Sequence, residues 1–152
     1  MKNIIVIILL SSLIFLYNCK KDPKGASVEK TIAIEYINMM GDDLFNPNTL
    51  NCYYPDDIRI YNVIGGVKKL AGQPNYTNPN NFLISKYKLN SHLLIVSIET
   101  DTTLIELNPN TVDTVIGIID KSHGNQTLRK VWYNGDLQWE DIGSVHIITI
   151  IK

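Results

Sequence analysis

Apolar and polar positions along this chain fall into two regimes. Between Val28 and Met40 the apolar residues recur at helical spacing. Val28, Ile32, Tyr36 and Met39-Met40 stand at i, i+4, i+8, i+11 and i+12, and Ala33 and Ile37 widen the stripe. Ser27 suits an N-cap, Glu29 sits in the first turn and Gly41 suits a C′ stop, while Lys30, Glu35 and Asn38 occupy the opposite face. The spacing predicts one amphipathic helix over 28–40. From Phe82 onward the pattern becomes that of strands rich in Ile, Val, Thr, Leu and Tyr. They are predicted at Phe82–Leu89, Leu93–Thr100, Thr103–Leu107, Val112–Ile119, Gln126–Tyr133, Leu137–Glu140 and Val145–Ile151. Their short connections imply antiparallel neighbours. The stretch between is mixed. Asp42–Phe45 predicts a short helix ended by Asn46-Pro47-Asn48, Leu50–Tyr54 a further helical turn stopped by Pro55, and Ile58–Ile64 a strand.

The sharpest local signal is Tyr133-Asn134-Gly135-Asp136, which specifies a two-residue type I′ hairpin. That turn sets Tyr133 opposite Asp136, Trp132 opposite Leu137, Lys130 opposite Trp139 and Arg129 opposite Glu140. Alternation then predicts Leu128, Trp132, Leu137 and Trp139 on one apolar face, with both tryptophans covered. Asn-Pro-Asn occurs at Asn46, Asn78 and Asn108, but the flanking patterns differ. Each reads as a turn, with Pro presetting φ.

Ahead of all this, Ile4 to Leu16 is an apolar run interrupted only by serines and preceded by Lys2. As a helix it reaches about 20 Å, short of the roughly 30 Å of a bilayer core, which suits the h-region of a secretion signal. Leu16-Tyr17-Asn18-Cys19 comes next, and it resembles the lipobox of bacterial lipoproteins, with Tyr17 and Asn18 standing where that family prefers small residues. The resemblance implies cleavage before Cys19 and diacylation of its thiol. Two or more acyl chains hold a protein stably on a membrane. The expected organisation is a signal peptide over 1–18, a lipidated tether over 19–27 and one domain over 28–152. Lys20-Lys21-Asp22 carries no acidic residue directly after Cys19, which by the same resemblance implies the outer membrane, on its periplasmic face or at the cell surface.

Composition adds exclusions. Without its signal the chain keeps 134 of 152 residues, with 13 basic against 15 acidic side chains and a net charge of −2. A chain of that length makes one domain with a genuine core. The basic residues are scattered, so nucleic acid is not an expected partner. Once Cys19 carries lipid, Cys52 has no intrachain disulfide partner and reads as a small buried hydrophobe.

A helix ending in Met39-Met40-Gly41-Asp42, the Tyr53-Tyr54-Pro55-Asp56-Asp57 stretch and a late strand through Leu137-Gln138-Trp139-Glu140-Asp141-Ile142 together resemble the cystatin-like or NTF2-like α+β architecture. The resemblance implies an N-terminal helix packed on a curved antiparallel sheet. An Ig-like β-sandwich is the competing reading, and the 28–40 helix argues against it.

Signatures of chemistry are sparse. His92, His123 and His146 stand at no metal-ligand spacing, so no metal and no cofactor is expected. His146 reads as a core or rim histidine and His123 as solvated in a turn. Asp42-Asp43 and Asp56-Asp57 read as helix-start charges. No catalytic residue is assigned; if the NTF2-like resemblance extends to activity, an acid–base pair would come from Tyr36, Tyr87, His92 and Asp101. The leading expectation is a non-enzymatic binding or accessory module anchored in the cell envelope, its partner an envelope protein or a small ligand. The alternatives are an NTF2-like small-molecule enzyme and an inhibitor or immunity-type lipoprotein that blocks another protein.

Overall fold

The computed structural model describes residues 28–72, 81–89, 91–140 and 147–152. Among these, eleven strands form two mixed sheets: β1 (Val28–Glu29), β2 (Thr31–Ile37), β3 (Arg59–Ile64), β4 (Val67–Leu70), β5 (Phe82–Lys88), β6 (Ser91–Ser97), β7 (Thr102–Asn108), β8 (Thr111–Asp120), β9 (Gln126–Tyr133), β10 (Asp136–Glu140) and β11 (Ile147–Ile151). The larger sheet runs β1-β9-β8-β7-β3-β4, with β10 also on β9; the smaller runs β11-β2-β6-β5. β1–β9 and β11–β2 are parallel, and the other pairs antiparallel.

The predicted helix over 28–40 is instead two strands, and the physical reason lies in its own pattern. Ile32, Ile34 and Tyr36 are fully buried while Thr31, Ala33, Glu35 and Ile37 are not, a period of two. A spacing of four, as from Ile32 to Tyr36, is in phase with a strand and with a helix alike. Ile34 decides, because a helix would turn it roughly 200° away from Ile32. β-branched Thr31, Ile32, Ile34 and Ile37 favour the strand as well. Each buried Ile contributes about 1.5–3 kcal/mol through its removal from water. Met39 and Met40, expected to close the buried stripe, are 91% and 90% exposed. The α+β expectation is thereby overturned. Among the described residues no helix lies on a sheet; two sheets face each other over one core, and the parallel pairs also set them apart from the antiparallel Ig-like alternative.

That core joins Ile32, Ile34 and Tyr36 of β2, Leu94 and Val96 of β6 and Ile148 and Ile150 of β11 to Ile60, Ile105, Leu107, Val115, Leu128, Val131 and Tyr133 of the larger sheet. The chain changes sheets at Lys30, whose carbonyl accepts from the Ile98 N–H and whose ammonium binds Glu99 at 2.7 Å. Gly117 allows the close approach of the layers. A Cβ there would sit 2.8 Å from Ile98 Cγ2 and 3.0 Å from Leu128 Cδ1.

Asp42–Phe45 and Leu50–Tyr54 are turns, not helices, and Pro55–Asp57 is one 3-10 turn. Asn46-Pro47-Asn48 and Asn108-Pro109-Asn110 are both turns in which the first Asn side chain accepts from the second Asn N–H, at 3.0 and 2.9 Å. Asn78-Pro79-Asn80 lies outside the described residues.

The hairpin turn is as expected, with Asn134 at φ 50° and Gly135 at φ 94°. Its register is as expected for the first two pairs, Asp136 with Tyr133 and Leu137 with Trp132, and not beyond them. Leu137 opposes Trp132, but a bulge comes next, so Trp139 opposes Val131 and Glu140 opposes Lys130. A bulge reverses the phase of the residues beyond it. Trp139 therefore turns inward with Val131, whereas Leu137 is exposed and Trp132 only half-buried. Glu140 pairs with Lys130, and Arg129 with Asp120 at 3.2 Å.

Ladder directions give the molecule two ends. β2, β5, β9 and β11 run toward the same end, where Asn38, Leu89, Asn134 and Lys152 succeed them. The chain enters at Val28, at the opposite end.

Candidate functional site

The Asn38 end carries the chemistry. β2 leaves the sheet at Ile37, and the Asn38 side chain organises the turn: its Oδ1 accepts from the Met40 and Asp42 N–H groups, both at 2.9 Å, and its Nδ2 donates to Asp42 Oδ2. Gly41 takes φ 84°, a conformation that favours glycine. The turn therefore holds Met39 and Met40 at its tip in water. Leu50, in the next loop, and Leu89, in the β5–β6 turn, are each 83% exposed, and Tyr54 is exposed too. Met39, Met40, Leu50 and Leu89 thus stand at or near the tips of loops that leave the sandwich on one side.

Behind the tips the loop is pinned to the core. Leu44 N–H donates to Tyr36 O and Tyr53 N–H to Leu44 O. Asp43 is buried; its Oδ1 accepts from Phe45 N–H at 2.9 Å and its Oδ2 lies 2.6 Å from His92 Nδ1. A carboxylate on Nδ1 orients an imidazole. No Ser, Thr or Cys side chain among the described residues bonds to His92, and neighbouring Ser91 donates to Glu35 at 2.5 Å. Among the described residues no nucleophile faces the pair, and Asp43 doubles as the clamp of the loop.

Tyr36, Phe45, Tyr53 and Tyr133 pack edge-on or tilted, with ring centroids 5.6–6.3 Å apart. Tyr133 Oη donates to Tyr36 Oη at 2.9 Å, one sheet to the other. Burial raises both phenols well above the usual tyrosine range, with Asp113 adding to the effect. Asp113 itself points inward from β8, in phase with Val115. Its Oδ1 accepts from Asn134 Nδ2 at 2.8 Å and from Lys152 Nζ at 2.5 Å. Asp113 and Lys152 form a second bond between the sheets.

The positions singled out by sequence fare unevenly. Cys19 and His146 lie outside the described residues. Tyr36 is core, not pocket. Tyr87 is exposed with Lys88 over its ring at 4.7 Å, and Asp101 is exposed at the other end. His92 meets Asp43, not Asp101. Asp42 and Asp43 close turns and do not start a helix. Cys52 is half-buried with a free thiol, its Sγ 3.8 Å from Pro47 O. Sequence reasoning missed Asp113 and Lys152, although the phase of Asp113 with Val115 marks a charge on an apolar face. Among the described residues no three His, Cys, Asp or Glu side chains converge as metal ligands would, and no helix is long and apolar enough to cross a membrane.

No family model, no curated protein and no solved structure matches this chain.

Proposed function

We propose that this protein is a lipid-anchored module of the bacterial cell envelope that binds a protein partner through its Asn38 end and catalyses no reaction. One observation carries the binding part. Met39, Met40, Leu50 and Leu89 are 83–91% exposed and gathered on the loops of a single end. Large apolar side chains held in water at loop tips are costly unless a partner covers them, and Met suits an adaptable contact. Asp42, Asp56, Asp57 and Lys88 supply exposed charges around them. The anchoring part rests on Lys2, the apolar run Ile4 to Leu16 and Cys19. The chain enters the sandwich at the end opposite the tips. With a tether of eight residues after Cys19, at most about 29 Å long, the domain sits close to its membrane and presents the apolar tips away from it. Inhibition of the bound partner is the immunity-type form of the same reading.

The test is intact mass and membrane fractionation of the full chain, wild type against Cys19→Ala. The expected wild-type product is cut before Cys19, heavier by its acyl chains and membrane-bound, while Cys19→Ala leaves it unprocessed and without acyl mass. A wild-type protein with neither cleavage nor added mass refutes the anchor.

A further inference from the structure

We infer that the edge of β11 left unpaired among the described residues is a self-pairing surface, on which two copies of this chain join antiparallel about Thr149 to form one continuous eight-stranded sheet. The starting point is how the described edges are protected. An exposed edge presents unpaired N–H and C=O groups, and proteins blunt such edges with charge, bulges or brevity. β4 carries Lys68 and Lys69, β5 carries Lys86 and Lys88 with a bulge between them, β10 carries Asp136 and Glu140 with a bulge at Gln138, and β1 is two residues long. β11 has none of these devices. It reads Ile-Ile-Thr-Ile-Ile, it tracks β2 in unbroken register from Ile147↔Ala33 to Ile151↔Ile37, and among the described residues its outer side pairs with nothing.

Charge selects the occupant. Self-pairing about the strand centre would set Lys68 against Lys69 at β4 and Asp136 against Glu140 at β10, which is unfavourable across a strand pair. β11 itself, Ile147–Ile151, contains no charged side chain, and Lys152, next in the chain, is held by Asp113. The segment also reads the same in both directions about Thr149. An antiparallel pair centred there sets the inward Ile148 against the copy's Ile150, the outward Ile147 against the copy's Ile151, and Thr149 against itself. Each isoleucine meets an isoleucine of the same face, as a twofold interface requires. On the outer surface the pairing continues an apolar row already present across the small sheet, Ile147–Ala33–Ile95–Leu83. Among the described residues each copy has one such edge, so pairing through it closes at two chains. Five residues per copy place the contact at the small, transient end of interface sizes, so the dimer is weak.

Register makes the inference testable by cross-linking. Residues directly opposite in an antiparallel pair have Cα atoms about 4.5–5.5 Å apart, within the roughly 4.4–6.8 Å that a disulfide spans. Like residues at 147 or at 151 would be separated by four strand positions, about 13 Å, beyond that reach. Ile147, Thr149 and Ile151 share the outward face; Thr149 and Ile151 are both exposed and Ile147 is half-buried, so Ile151→Cys is the exposure-matched control. The full chain carrying Cys52→Ser is expressed in cells as the parent, which also measures any background from Cys19. Thr149→Cys, Ile147→Cys and Ile151→Cys are each added, and cells are treated with a mild oxidant. The expected result is a disulfide-linked dimer for Thr149→Cys at least tenfold above the parent and above both other variants. Equal cross-linking at the three positions, or no excess at Thr149→Cys, overturns the inference; the second outcome would mean that the edge is covered by other residues of the same chain or by a different protein.

Discussion

Removing one member of the Asp113–Lys152 pair should cost far more than removing both. The Asp113 side chain is 3% exposed and that of Lys152 21%, and the bond runs from the larger sheet to the end of β11. Breaking a buried ion pair from one side leaves an uncompensated charge and costs about 3–5 kcal/mol, whereas replacing both by groups of similar volume is often close to neutral. The two single changes should differ. Asp113→Asn keeps an oxygen that accepts from Asn134, and the released ammonium can reach water, so its cost lies at or below the low end, about 2–3 kcal/mol. Lys152→Met strands a carboxylate that has little access to water, which places it near the high end of the same range. Asp113→Asn with Lys152→Met should return to within about 1 kcal/mol of wild type, giving a coupling of at least about 2 kcal/mol. Urea unfolding tracked by tryptophan fluorescence measures all four species, since Trp139 is buried in the native state. If the single effects simply add, with coupling below about 0.5 kcal/mol, the two residues do not act as a pair and the reasoning is wrong.

Two other consequences can be checked on the same protein. Gly117→Ala should destabilise by about 1–3 kcal/mol, because Ile98 Cγ2 lies 2.8 Å from the new Cβ and a β-branched side chain rotates away only at a cost; a loss under about 0.5 kcal/mol in the urea transition would show that the layers yield there. Stability should fall steeply above pH 10. Tyr36 and Tyr133 have folded pKa values raised above the ordinary 10, so the unfolded chain releases two protons that the native one retains. Their contribution is complete below that pH and shrinks as pH rises, by about 1.4 kcal/mol per pH unit for each, about 2.7 together. In an absorbance titration these two phenols should ionise only with cooperative loss of native circular dichroism; ionisation with that signal intact refutes their burial.

How much of this was legible depended on whether the deciding information was local. Asn134-Gly135 fixed its turn because two adjacent residues carry the required positive φ themselves. The bulge after Leu137 was not legible. Gln138 offers no local signal for it, and a second bulge between Ile118 and Ile119 shifts the neighbouring ladder as well. Strand boundaries from Phe82 onward were readable to within a few residues because alternation there meets no helical rival. At 28–40 it did meet one, since apolar residues four apart satisfy both periods and only Ile34 separates them.

The Asn38 end shows why the site was harder still. Asp43 and His92 are 49 residues apart, Tyr36 and Tyr133 97, Asp113 and Lys152 39. Each contact comes from sheet order, and Asp113–Lys152 turns on β11 lying parallel beside β2, a pairing that no turn specifies. Asp113 could be flagged alone, as a charge in phase with Val115, but its cation could not be named until β11 was placed. The exposed Met39 and Met40 were hidden for a related reason. A helical reading buries them by assigning them to its own stripe, and only the strand, which ends at Ile37, releases them to a turn in water. The feature that carries the binding proposal was therefore concealed by the same period ambiguity that concealed the fold.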